Sequence, residues 1–270
     1  MHQALCSRKE FATMPYAQLE SDERIYYAFH QPREFSGDEP ALVCVHGAGG
    51  SHLSWPSEIR RLAGAVVYVL DLPGHGRSTG VGRQTVGDYV RVLISFMDVT
   101  DLTHAVIVGH SMGGAVALEM ALSHPDRVRG LGIIGSGAKL RVTPVILQGI
   151  LNDYQGVIEL MGEFAYGPGA PEELKRLGQQ VMSKTSPEVV YGDFLACDAF
   201  DVMGRLGEIR VPTLVITGTA DQLTPTKYAH FLAQNIPGAQ LVLVENAGHM
   251  VMLEHPQEVG EAVACLVASL

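Results

Sequence analysis

Several short stretches of this chain are apolar from end to end, and that pattern admits few folds. Residues 41–46 (ALVCVH), 65–71 (AVVYVLD) and 105–109 (AVIVG) are β-rich runs bounded by turn residues; Val128–Ile134 is a weaker fourth with glycines inside it. A strand without polar alternation has both faces covered, as in a parallel sheet between helical layers. Helical patterns fall between these runs: residues 85–97 are amphipathic, and Met112–Ser123 is rich in small residues. The rhythm returns at Thr213–Gly218 (strand), Thr226–Asn235 (helix), 240–245 (strand) and Pro256–Ala268 (helix). Ahead of them, residues 16–20 and Arg24–His30 alternate around Ser21-Asp22, which predicts an antiparallel hairpin. Strand–helix alternation of this kind predicts an α/β fold, a mostly parallel sheet with helices on both faces.

Residues 139–205 break the rhythm. They hold no good strand but three helical stretches, 142–166, 171–184 and 187–200, the last with Ser186 as N-cap and Pro187 at the first helical position. A helical cap inserted between two strands is expected, leaving a core of residues 1–138 and 206–270.

The composition suits one large domain. The 270 residues are 47% hydrophobic and 18% charged, ample for a buried core. Net charge is −10 and no Lys/Arg cluster stands out, so neither nucleic acid nor an anionic membrane surface is an expected partner. No stretch reaches the roughly 18–20 apolar residues that span a bilayer, and the start lacks a signal-peptide core, so a cytoplasmic protein is expected. Cys6, Cys44, Cys197 and Cys265 form no CxxC pair and read as small buried thiols. No metal-ligand set, Walker loop or strand-borne GxGxxG is present, so no metal and no cofactor are expected.

Gly109-His110-Ser111-Met112-Gly113 fits G-x-S-x-G. Alone the pentapeptide is weak evidence. Here it stands between a buried strand and a helix, where a sharp turn leaves no room for bulky neighbours and exposes a serine hydroxyl beside a helix N-terminus. A serine is a poor nucleophile near neutral pH and needs a base, itself oriented by an acid. Eleven histidines compete. His46, His52, His75 and His110 also stand in or near loops on the correct sheet edge. His249 is selected because strand–elbow–helix hydrolases run in the order serine, acid, histidine. Asp221, just after 213–218, is the acid, and the adjacent Thr224 is expected to cap the following helix. The oxyanion donors are the backbone N–H groups of Met112 and of Ala48, in the small-residue loop His46-Gly47-Ala48-Gly49-Gly50.

Together HGAGG, DLPGHGRS (71–78), GHSMGG, GTADQLTP and NAGHMVMLEHP resemble the α/β-hydrolase superfamily, in family order, over nearly the whole chain from Ile25 onward. The resemblance implies an eight-stranded sheet with a cap entering after the sixth strand. Within the superfamily the chain is similar to cap-bearing carboxylesterases, monoglyceride-lipase-like enzymes, enol-lactonases and cofactor-free haloperoxidase-type perhydrolases.

The expected activity is hydrolysis of a small to medium apolar carboxylic ester by Ser111, His249 and Asp221. A serine at position 111 disfavours dehalogenase or epoxide-hydrolase chemistry, which needs a carboxylate nucleophile. Carbon–carbon bond hydrolysis, lactonase and thioesterase activity use the same triad, and a ligand-binding receptor on this fold is an alternative of another class. Gly47, His110, Leu147, Ile150 and Met250 are the expected substrate contacts, with Leu140, Val145, Ile146, Leu151, Phe164 and Tyr166 as further candidates from the cap. A cavity-facing Arg141, Lys139 or Arg205 would instead indicate an acidic substrate. A homodimer is compatible with the sequence.

Overall fold

The computed structural model describes residues 15–20, 22–33, 37 and 39–270. Eight strands form one sheet: β1 (Tyr16–Gln18), β2 (Arg24–His30), β3 (Ala41–Val45), β4 (Val66–Leu70), β5 (Ala105–His110), β6 (Val128–Ile134), β7 (Thr213–Gly218) and β8 (Gln240–Val244). Their order is β1-β2-β4-β3-β5-β6-β7-β8, antiparallel at the first two pairings and parallel from β4 onward. The expected hairpin is present; Ser21 of its turn lies outside the described residues, as does Cys6.

Ten helices are described: α1 (Ser57–Arg60), α2 (Val86–Val99), α3 (Met112–Ser123), α4 (Pro144–Asn152), α5 (Tyr154–Phe164), α6 (Glu172–Met182), α7 (Pro187–Ala199), α8 (Thr226–Asn235), α9 (Val251–Glu254) and α10 (Pro256–Ala268). The apolar runs are buried on both sides. Val43, Val45 and Ile107 pack with α2, α3 and α8 on one face, while Leu42, Cys44, Val106 and Val108 pack with α1 and α10 on the other. Alternate residues of one strand thus serve two cores, which is why no polar alternation is visible.

Helices α4–α7 form the insertion between β6 and β7. Residues 142–166 are not one helix: Asp153 ends α4 and caps α5, its carboxylate accepting from Gly156 N at 3.1 Å, so the chain folds back on itself. At the base of the insertion Lys139 bridges and ion-pairs with Asp201. Ser186 caps α7 as expected. Cys44 and Cys197 are buried, but Cys265 is exposed on the outer side of α10. No helix among the described residues is long and apolar enough to cross a membrane.

Candidate active site

Strand β5 runs straight into α3 through Ser111, whose φ of 53° and ψ of −117° lie where L-residues are strained. The surroundings impose this turn. A Cβ at Gly109 would fall 2.0 Å from the Gly113 carbonyl oxygen, and one at Gly113 would fall 2.0 Å from that of Val45. Ser111 N donates to Ile134 O at 2.9 Å, and the Ser136 hydroxyl donates to Ser111 O at 2.7 Å. Neighbouring strands therefore hold the serine in the strained conformation.

Asp221 and His249 arrive from the ends of β7 and β8. The Asp221 carboxylate is completely buried, and its Oδ2 is 2.9 Å from His249 Nδ1. Oδ1 accepts from Leu223 N and Thr224 N at 2.9 and 2.8 Å, and the Thr224 hydroxyl donates to Oδ2 at 2.7 Å. Burial pushes the carboxyl group up, but the His249 ring and these donors outweigh it and hold Asp221 below its ordinary value. A carboxylate on Nδ1 fixes the proton there and leaves Nε2 as the basic nitrogen. Thr224 is not the cap of α8, which starts after Pro225 with no side-chain cap; its hydroxyl serves Asp221 and approaches His249 Nδ1 at 3.1 Å.

The His249 loop is fastened on two sides. His110 Nε2 donates to His249 O at 3.0 Å, and the two rings lie 4.7 Å apart. Burial first, then the neighbouring His249, pushes His110 down to about 3, so this ring stays neutral. On the other side Met250 N donates to Ala165 O at 2.9 Å, and Glu254 accepts from both Gly248 N and Gly167 N.

The 47–50 loop lies over the serine: a Cβ at Gly47 would sit 3.0 Å from the Ser111 Cβ. Gly49, at φ 64°, donates its N–H to Asp193 Oδ2 at 2.9 Å, a contact from the insertion to this loop. Asp193 Oδ2 is also 2.8 Å from His75 Nε2, and its Oδ1 accepts from the Tyr89 hydroxyl. Met112 is the first residue of α3, so its N–H has no partner within the helix.

Ser111, His249, Gly47, Ala48, His110 and Met250 all line one cavity of about 740 Å³ between the sheet edge and the insertion. Leu140, Ile146, Phe164 and Tyr166 line it too. Leu147 and Ile150 do not: α5 and α7 fold over α4, and Ile150 packs against Val157 and Val190 inside the insertion. Val145 and Leu151 are exposed. Arg141 lines the cavity, whereas Lys139 and Arg205 are paired with Asp201 and Glu208. Asp193 was not anticipated, and Thr224 was expected only as a cap, not as a donor to Asp221; an aspartate amid the apolar stretch VVYGDFLAC was the available signal for the first. Among the described residues no cluster of three or more His, Cys, Asp or Glu could hold a metal ion.

A strained serine and a carboxylate-bound imidazole that line one cavity suit a nucleophilic hydrolase, and the comparisons with known proteins agree with that class. The chain belongs to the alpha/beta hydrolase family, whose profile matches residues 42–262. It is 32% identical over 233 residues to a pimeloyl-[acyl-carrier protein] methyl ester esterase of Vibrio atlanticus (strain LGP32), covering 79% of this chain and 89% of that one. Its fold is similar to the enol-lactonase from Burkholderia xenovorans LB400, with TM-score 0.87, 23% identity and coverage of 94% of this chain and all of that one. It is also similar to a thermophilic esterase, with TM-score 0.82, 31% identity and coverage of 94% and 96%.

Proposed function

We propose that this hydrolase cleaves a small to medium carboxylic ester through an acyl-enzyme. The observation that carries the reading is the buried Asp221–His249 pair opening onto the same cavity as a strained, glycine-flanked Ser111. His249 Nε2 takes the Ser111 proton as the hydroxyl oxygen attacks the acyl carbon, and the carbonyl electrons move onto its oxygen. Ala48 N–H and Met112 N–H hold that oxyanion. Collapse of the tetrahedral adduct expels the alcohol, protonated by His249, and water repeats the sequence to release the acid. Asp221 fixes the imidazole tautomer. Residues 139–205 act as the cap over a core of 1–138 and 206–270. The esterase relatives at about 30% identity support ester chemistry.

The test is hydrolysis of p-nitrophenyl esters from acetate to decanoate at pH 8, with Ser111→Ala as the paired control. Turnover should fall by at least ~10⁴-fold in the variant. A folded wild-type protein that cleaves none of them would overturn the ester reading and direct attention to a lactone or carbon–carbon substrate.

A further inference from the structure

A second, smaller cavity of about 200 Å³ lies between the insertion and the core. Acidic residues outnumber basic ones by 29 to 19 in the chain, yet the described lining of this cavity holds His52, Arg77 and Lys184 and no aspartate or glutamate. Leu53, Val181 and Lys184 also line the larger cavity, so the two adjoin. Asp71 and Arg77 of the DLPGHGRS segment take no part in the hydrolytic site, and they shape this one.

His52 is its deepest polar group. The side chain is 9% exposed, and Nδ1 lies 2.9 Å from both oxygens of the completely buried Asp71. Asp71 Oδ1 also accepts from His52 N at 2.6 Å, and Oδ2 from Arg77 N at 2.9 Å. Gly76, at φ 52°, permits this approach, since a Cβ there would fall 2.2 Å from Oδ2. Tyr26 backs both basic groups. Its ring is 4.9 Å from the His52 ring, and the Arg77 guanidinium lies 4.9 Å over it while donating to its hydroxyl at 3.1 Å. One carboxylate and one phenol ring therefore hold the imidazole and the guanidinium together. His52 Nε2 has no partner among the described residues. The unpartnered side-chain atoms sealed from solvent there are Trp55 Nε1, Arg60 Nε and Thr217 Oγ1; His52 Nε2 is not one of them, so it is open. Arg77 and Lys184, both exposed, make no ion pair among the described residues.

We propose that this cavity binds a free tetrahedral oxyanion, phosphate or sulfate, which pins the insertion to the core. Arg77 offers a planar fork of donors, Lys184 a point charge and His52 a single N–H, and an ion with four oxygens can meet all three. A carboxylate has only two. At roughly 30 Å³ per water the cavity has room for one such ion and a few waters. Nε2 donates only when the ring is an imidazolium, so binding takes up a proton. Burial pushes Asp71 up, but the His52 bond, the His46 ring and two backbone N–H groups outweigh it and hold it below its ordinary value. Of the groups facing the His52 ring, Asp71 is thus charged near neutrality, and arginine and lysine hold their charge there. The site is independent of the chemistry at Ser111.

Sulfate is the probe, because its charge is constant between pH 6 and pH 8. Calorimetry of the whole chain at pH 6 should show one saturable site with a dissociation constant of about 1 mM or tighter, weakened at least about threefold at pH 8. Phosphate should compete for it. Arg77→Gln and Lys184→Gln should each weaken binding about fivefold or more, while Tm in chloride moves by no more than about 2 °C. Amide exchange should slow on both sides of the cavity, at residues 75–78 and 181–185, when sulfate is added. Sulfate also stabilises folded chains by exclusion from their surface, but that effect neither saturates nor depends on these two residues. No saturable binding up to about 20 mM at pH 6 would overturn the proposal. So would equal binding in the wild type and both variants, equal binding at the two pH values, or slowed exchange spread evenly over the chain.

Discussion

Of the three buried aspartate–histidine pairs described, Asp221–His249 and Asp193–His75 are alike in their contact and unlike in all that surrounds it. In one, His249 Nδ1 is 2.9 Å from Asp221; in the other, His75 Nε2 is 2.8 Å from Asp193. The second nitrogen separates them. His75 Nδ1 is 3.0 Å from the Pro73 carbonyl, so both ring nitrogens face acceptors and both must donate. Such a ring has no lone pair to offer a nucleophile. Among the described residues His249 has only its Nδ1 engaged by protein acceptors, and it shares the cavity with Ser111. Asp193 ties Gly49 of the small-residue loop to α7, whereas Asp221 holds one nitrogen of the His249 ring. The contact alone does not suit a ring for taking a proton; a nitrogen left open does.

Changing the acid of each pair should separate the roles. Asp221→Asn should lower kcat by about 10⁴-fold, because an amide stabilises the wrong imidazole tautomer and no developing charge. Its melting temperature should fall by only a few degrees, since one amide oxygen can still accept from Leu223 N and Thr224 N while the charge-assisted bonds to Oδ2 are lost. A kcat within tenfold of wild type, measured on the best p-nitrophenyl ester, would remove Asp221 from the reaction.

Asp193→Ala should show the reverse proportion. It leaves Gly49 N–H, the Tyr89 hydroxyl and a His75 proton without their buried acceptor, at a cost of about 3–5 kcal/mol. In a domain of this size that lowers Tm by roughly 10 °C. Loosening the loop that holds Ala48 should also reduce kcat by about 10²-fold, the loss expected for a displaced oxyanion donor. Unchanged kcat at a depressed Tm would make the pair purely structural.

Thr224→Val tests a smaller contribution. The hydroxyl donates to the Asp221 oxygen that faces His249, and its removal should lower kcat by about three- to tenfold with little change in KM. Thermal melting with calorimetry separates this from general destabilisation.

How much of this was legible depends on whether a contact is local in sequence. The strands could be read because continuous apolar runs such as ALVCV admit few alternatives, and Met112–Ser123 because an elbow of glycines must open a helix. Ser111, Asp221 and His249 were singled out by motif and chain order, and the fold brings Asp221 and His249 into contact and puts Ser111 and His249 on one cavity. The Asp193–Gly49 bond spans 144 residues; no local pattern announces it. Ile150 and Leu147 were misplaced for the same reason. Helical spacing shows that α4 has an apolar side, but Asp153 decides that α5 and α7 cover it. Thr224 was read as a cap because threonine before proline fits one equally well.

The two pairs should also respond to pH in opposite directions. Burial pushes His75 down, but the Asp193 charge and hydrogen bond, the Pro73 carbonyl and the more distant Asp71 outweigh it and raise the ring above its ordinary value. The other titratable neighbours are His46, pushed down to about 4 chiefly by burial, and Tyr89, whose phenol burial pushes far up. Neither changes charge near neutrality. Folding therefore strengthens proton binding at His75, and its contribution to stability is complete below about pH 6.5 and lost as pH climbs through the raised value. Asp221 and Asp71 are held below the ordinary carboxylate value, so their contributions are present above about pH 4 and lost as pH falls through the folded values. Melting curves of wild type and His75→Gln from pH 4 to 9 read the two separately. The gap in Tm should be widest near pH 5.5 and narrow by several degrees toward pH 9, while both proteins lose stability together below pH 4. A gap that widened with rising pH would mean that folded His75 is neutral, and the contrast between a clamped imidazolium and a free base would fail.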